Sequence, residues 1–258
     1  MTYVFRFPGG RLTAKIPIGS FGMCSDAMGH VFLTHVGRIE EYAHGGTTPI
    51  ATASVPGTAY SCAVDPTTGN VAVVVFCLSG CGDEVVVYRQ PFGLPPKTYK
   101  DSGLNSMLYC GFDPSGNLYV DGYNSSGTFV LAQLPPGGDS FTNITFDQSI
   151  SAAGQVQWDG TYMTVETRFQ PKIYQLQFSG STGTIVGTTE LTGTGFRAGQ
   201  SWIQGQLVAV PTGPDRKRPK IVRIWKYPKG THQTGVIKGF IPRHRIIDSL
   251  TVSVAPSR

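Results

Sequence analysis

The chain has 258 residues, a formal net charge of +5 and a pI near 9.0, with 40% hydrophobic but only 14% charged residues. Low charge beside ordinary apolar content excludes an intrinsically disordered chain, and no apolar run approaches the ~20 residues of a membrane-spanning helix. The apolar segments are short, rich in Val, Ile, Tyr and Phe, and punctuated by Gly, Pro, Asn and Asp, which predicts an all-β fold.

The first element runs from Thr2 to Pro17: a strand, a Pro8-Gly9-Gly10 turn and a second strand. No charged n-region followed by an apolar stretch occurs between Met1 and Ser20, so no signal peptide is expected there. The low charge and many Ser, Thr, Gly and Asn residues favour an extracytoplasmic location, with a leader already removed, over a cytoplasmic one.

From residue 25 onward one pattern recurs. Its clearest copies are Ala63-Val-Asp-Pro-Thr-Thr-Gly-Asn-Val-Ala-Val-Val and Gly111-Phe-Asp-Pro-Ser-Gly-Asn-Leu-Tyr-Val. Both read strand, tight turn, strand, with Asp opening the turn and Gly-Asn closing it. Weaker copies start at Ser25, Gln157, Ile203 and Ile247. The anchor positions are 26, 65, 113, 159, 204 and 248, at intervals of 39, 48, 46, 45 and 44. The first five copies are each followed by a further strand (Arg38–Tyr42, Glu84–Tyr88, Thr128–Ala132, Lys172–Leu176, Lys220–Trp225), a Gly- or Pro-rich turn and a fourth strand. Four strands per unit and a period in the forties predict a β-propeller.

The last copy stops after two strands, and the N-terminal hairpin supplies the missing pair. The expected architecture is therefore a single six-bladed propeller over 1–258. Each blade is a four-stranded antiparallel sheet, and the sixth is composite, from 1–18 plus 244–258; five blades is the alternative count. Such closure removes an open sheet edge. Val71, Val73, Val86, Leu118, Val120 and Ile173 are expected in the packing between blades.

The five cysteines are Cys24, Cys62, Cys77, Cys81 and Cys110. Cys24, Cys62 and Cys110 lie in apolar strand patterns and are expected as small core residues. Cys77 and Cys81, separated by Leu-Ser-Gly, either close a small disulfide ring or remain two thiols. No second Cys/His pair stands at zinc-ligand spacing.

The run Asp113-Pro-Ser-Gly-Asn-Leu-Tyr-Val, with Gly127 and the following strand, resembles the NHL-repeat and gluconolactonase-like six-bladed propellers. The resemblance implies a ligand site at the face where the inner strands begin, around the central channel. The loops expected there before the inner strands carry Tyr60, Tyr109, Gln155, Arg197, Gln200, Arg243, His244 and Arg245, which are the candidate ligand-binding residues. A second loop set, between strands two and three, includes Thr34-His35, Asp121–Ser126 and Thr167-Arg168-Phe169. An anionic ligand is expected between Arg197, Arg243 and Arg245, with Tyr60 and Tyr109 as flat walls. The structural alternative has these arginines tying blade six to blade five.

The resemblance also raises metal-dependent hydrolase or lyase activity, with a divalent cation in the channel. In that family a Glu precedes the first inner strand, whereas Pro17-Ile-Gly-Ser-Phe-Gly-Met has none. Hard cations want several carboxylate or carbonyl oxygens, and the expected face offers mainly Asp83 and Asp121. Catalytic residues are not assigned, and no metal or other cofactor is expected. The favoured reading is a monomeric, non-catalytic binding propeller for a peptide, protein or glycan. Nucleic-acid binding is a further alternative, because ten of the 21 basic residues fall between Asp215 and Arg245 and such asymmetry steers anionic partners.

Overall fold

A computed structural model describes residues 1–76, 82–168, 172–192, 200–213, 220–238 and 247–255. All regular elements among them are β-strands. Strands β1 (Thr2–Arg6) and β2 (Arg11–Ile16) form an N-terminal hairpin. A six-stranded sheet follows, in sequence order: β3 (Met23–Ser25), β4 (Val31–Tyr42), β5 (Ala51–Val64), β6 (Val71–Phe76), β7 (Glu84–Tyr88) and β8 (Lys97–Tyr99). The next sheet is the antiparallel meander β9 (Ser106–Phe112), β10 (Leu118–Tyr123), β11 (Phe129–Leu134) and β12 (Thr142–Asn143). The fourth contains β13 (Thr145–Phe146), β14 (Val156–Trp158), β15 (Met163–Glu166), β16 (Lys172–Ser179) and β17 (Thr182–Glu190), with β13 added in parallel to the outer strand β17. The fifth is β18 (Trp202–Gln204), β19 (Leu207–Thr212), β20 (Ile221–Lys226) and β21 (Gln233–Ile237).

The Asp anchors make these turns for a visible reason. The Asp65 carboxylate accepts from the Thr67 backbone N–H at 2.8 Å and from the Thr67 and Thr68 hydroxyls. Gly69 then takes φ +75°, a left-handed conformation that costs a side-chain-bearing residue energy. Asp113 repeats the device on Ser115 and Asn117, with Gly116 at φ +82°. Asp159 accepts from Thr161, Tyr162, Gln175 and Tyr227. This last anchor also ties its unit to the next, because Tyr227 follows β20.

The expected core is in place. Val71, Val73 and Val86 pack with Cys24, Phe32 and Ile39; Leu118 and Val120 with Val74 and Val85; and Ile173 with Val208 and Trp225. Each cluster joins neighbouring units. Strand β6 is buried along almost its whole length, so its Val-rich, non-alternating sequence fits a strand covered on both faces.

The strands group into four sheets of four or more strands plus a hairpin, rather than six separate four-stranded blades. The difference lies in β4 and β5. The expected Thr34-His35 loop falls inside β4, which runs on through Gly37 at φ +76° and a register shift between Val36 and Arg38. Strand β5 likewise runs through a shift between Ala59 and Ser61. Irregularities that bend a strand thus stand where turns were expected, and the first two units share one sheet. The stretch 247–255 carries no assigned strand.

A second correction concerns the cysteines. Cys24 and Cys62 form a disulfide between β3 and β5, while Cys110 is free and buried. The two paired residues are core residues as expected, but their strands lie side by side, so the sulfurs meet. Gly22 allows that approach: a Cβ there would run into the Tyr60 carbonyl oxygen. Cys77 and Cys81 lie outside the described residues.

Candidate functional site

The inner strands are joined by a closed series of links. The Cys24–Cys62 disulfide joins β3 to β5. The Ser61 hydroxyl donates to the Leu108 carbonyl at 2.8 Å, joining β5 to β9. The Asp121 carboxylate accepts from the N–H groups of Tyr109, at 3.0 Å, and Gly154, at 2.8 Å. Gln157 on β14 bonds the Ile203 backbone twice, donating at 2.7 Å and accepting at 2.8 Å. Gln200, just before β18, does the same to Met23, accepting from its N–H at 3.0 Å and donating to its carbonyl at 2.7 Å. These contacts lead from β3 through four further inner strands and back to β3, as a propeller requires.

Gln200 is accordingly a staple rather than a ligand-binding group. It is 1% exposed, and both ends of its amide are used. Gln200→Ala leaves two part-buried backbone groups of Met23 without these partners, so we expect a stability loss of about 2 kcal/mol. Urea unfolding checks this; a loss below about 0.5 kcal/mol, the usual size for an unremarkable surface site, would refute the staple role.

Tyr60 and Tyr109 do come together, on strands rather than loops. Tyr60 lies in β5 and Tyr109 in β9, with hydroxyl oxygens 3.4 Å apart and ring centroids 5.5 Å apart. Tyr60 is half-buried and stacks on Phe76 at 4.5 Å, whereas Tyr109 is fully buried. The third member is Arg168, two residues beyond β15, whose Nη1 donates to the Tyr60 hydroxyl at 3.2 Å. Tyr123, at the end of β10, accepts from the Ala153 N–H at 3.1 Å and lies within the electrostatic reach of Arg168.

Gln155 is buried directly opposite Glu166, whose N–H donates to the Gln155 carbonyl at 2.9 Å. Directly opposed residues of an antiparallel pair share one face, so the amide and the carboxyl are neighbours. The Gln155 Nε2 donates to the Val156 carbonyl, while its Oε1 meets no hydrogen-bond partner among the described residues. Burial pushes the Glu166 carboxyl up to about 8; the hydroxyl and N–H of Ser201 and the charge of Arg168 act in the opposite direction. Burial also raises Asp121 well above the usual carboxylate range, against the N–H groups of Gly154 and Tyr109 and the charge of Arg168. Both carboxyls therefore lie within the electrostatic reach of one guanidinium, and burial shifts both toward their neutral forms.

Arg197, Arg243, His244 and Arg245 lie outside the described residues, as do the basic residues Arg216–Arg218. His35, expected on a channel loop, is buried in β4. Its Nδ1 meets the Gly19 carbonyl at 2.8 Å, its Nε2 lies 3.3 Å from Glu40, and burial lowers its pKa. Of the two carboxylates considered for a cation, Asp121 holds backbone N–H groups with both oxygens, and Asp83 accepts from the Met107 N–H at 3.1 Å. No group of three or more His, Cys, Asp or Glu residues arranged for a metal occurs among the described residues.

Arg168 stood in the expected second loop set but not among the ligand-binding candidates, and Glu166 was not singled out. Their shared signal is charge at alternate positions closing an apolar strand, Met163-Thr-Val-Glu-Thr-Arg, which places Glu166 and Arg168 on one face.

The strand order, the ring of inner-strand links and the absence of helices among the described residues define a β-propeller. Solved propellers share the fold at low sequence identity. A putative TolB from Agrobacterium tumefaciens superposes with a TM-score of 0.63 at 14% identity, covering 89% of this chain and 85% of that one. The WD40 repeats of RRP9 give 0.61 at 10% identity, covering 98% and 89%. The Cps50 (Swd1) β-propeller domain from Myceliophteria thermophila gives 0.60 at 10%, covering 92% and 80%. No protein-family profile matches the sequence, and no curated protein does. Among the described residues, no helix is long and apolar enough to cross a membrane.

Proposed function

We propose that the chain is a non-catalytic binding propeller whose recognition centre is the Tyr60, Phe76, Tyr109 and Arg168 cluster, and that its partner is a peptide or a protein segment. The observation that carries this reading is the half-buried Tyr60 ring, fixed by stacking on Phe76 and by the Arg168 and Tyr109 contacts. A held aromatic ring offers apolar area and a polar tip at little entropic cost. Selecting a displayed random peptide library on the wild-type protein and on Tyr60→Ala tests the assignment. Sequences enriched on the wild type and lost on the variant are expected; enrichment indifferent to Tyr60, or none at all, overturns it.

The spacing of the six anchors further supports six repeats of the NHL type, the last closed by both chain ends. Consistent with closure, the 247–255 segment lies against the first unit. Ser25 Oγ donates to the Val252 carbonyl at 2.9 Å, and Ser253 bridges His44 and the Gly29 carbonyl. Hydrogen exchange over 248–252 as slow as in β5 is expected of an inner strand, and exchange at the rate of free chain would exclude one. The Cys24–Cys62 disulfide supports residence in an oxidising, extracytoplasmic compartment. Measuring where the full-length protein accumulates in its native cell checks this, and accumulation in a reducing cytosol would refute it.

A further inference from the structure

Arg168 is half-buried and has more donors than described acceptors. A guanidinium carries five N–H donors. One end, Nη1, donates to Tyr60, and the buried Nε meets no acceptor among the described residues. Among the described residues no carboxylate forms an ion pair with it. Asp121 spends both its oxygens on the backbone N–H groups of Tyr109 and Gly154. The cation thus sits beside a fixed aromatic wall, close to buried protein, without a carboxylate in direct contact among the described residues.

The geometry points to Arg168 as a carboxylate-recognition residue: a peptide segment lies against the Tyr60 ring and presents a carboxylate, from its C-terminus or from an acidic side chain, to the guanidinium. This rests on the binding reading above and names the chemistry of its ligand. A guanidinium matches a carboxylate with paired, charge-assisted hydrogen bonds. Partial burial strengthens that attraction relative to an exposed pair. The phenol of Tyr60, which already accepts from Nη1, holds one end of the fork beside the ring.

Three probes test the inference on the full chain: N-benzoylglycine, its amide N-benzoylglycinamide, and N-benzoylaspartic acid 1-amide, which has only a side-chain carboxylate. Binding is followed by NMR through the Arg168 Nε–H resonance, assigned by its loss in Arg168→Gln. At least one acid is expected to bind about tenfold or more tighter than the amide and to shift that resonance. Which acid does so identifies the source of the carboxylate. Arg168→Gln is expected to abolish the preference, and Arg168→Lys, which keeps the charge without the fork, to retain part of it. Equal affinity for acids and amide, or a preference that survives Arg168→Gln, overturns the carboxylate role and leaves the aromatic wall as a binding surface. If none of the three binds at millimolar concentration the inference also fails, while the peptide selection on Tyr60→Ala decides the binding reading separately. Thermal unfolding of both arginine variants shows that a lost preference is not lost folding.

Discussion

Between pH 5 and pH 9 the wild-type protein is expected to lose about 4 kcal/mol of stability that a Glu166→Gln variant does not lose. The Glu166 carboxyl is pushed up to about 8 by burial in the folded chain, from the 4.5 of a solvated glutamate. A carboxyl raised on folding gives no penalty below its unfolded pKa, where both states are protonated. Between about 4.5 and 8 the unfolded chain releases the proton and the folded chain keeps it, so each pH unit costs about 1.4 kcal/mol. Above about 8 both states are ionised and the penalty levels off. Gln has the same shape without the charge, so it removes this slope and leaves the other titrating groups in place. Urea unfolding of both proteins at several pH values measures it. Parallel curves would mean that the Glu166 carboxyl is solvated or ion-paired in the folded protein, contrary to its 1% exposure.

The second large effect is expected from Cys24→Ser combined with Cys62→Ser. The disulfide closes a loop with a sequence separation of 38. Restricting the unfolded chain over such a loop contributes about 4 kcal/mol on the chain-entropy estimate. In a protein of this size that corresponds to a fall in Tm of roughly 10 °C. Both sulfurs are buried at the contact between β3 and β5, so the effect is expected to be absent when a non-reducing scan is compared with a scan in mild reductant that cannot enter the folded state. It is expected in full after unfolding in reductant. A double variant that melts within about 2 °C of the wild type, a shift of about 0.8 kcal/mol, would show that the two sulfurs are not bonded.

The candidate site was only partly legible beforehand. Tyr60 and Tyr109 stand near anchors of the repeat, so the period placed them at equivalent positions, and the structure brings their hydroxyls to 3.4 Å. Gln200 shares that position, yet its amide faces Met23, a residue 177 positions away in sequence. Nothing local distinguishes a Gln that staples two strands from one that faces a ligand, because the difference lies in what the neighbouring unit presents. Arg168 escaped for the complementary reason. Its importance comes from the carboxyls that fail to pair with it, and burial of Asp121 and Glu166 is a property of the assembled ring.

What the sequence by itself determined is the local chemistry. Alternation of β-branched and aromatic segments with turns set the all-β fold. The Asp anchors and left-handed glycines set the hairpins, because these depend on residues within about ten positions of each other, and the recurrence of the anchors at intervals of 39 to 48 set the propeller. The tertiary structure alone decided three things. Gly22 let β3 approach β5 closely enough for Cys24 to reach Cys62. The bends at Val36 to Arg38 and Ala59 to Ser61 merged two expected blades into one sheet. The charge of Arg168 was left without a described partner beside the Tyr60 wall. Each of these depends on which surfaces meet when the units close into a ring. A repeat in the sequence states that the units are alike, but not which side chains their contacts bury or leave unpaired.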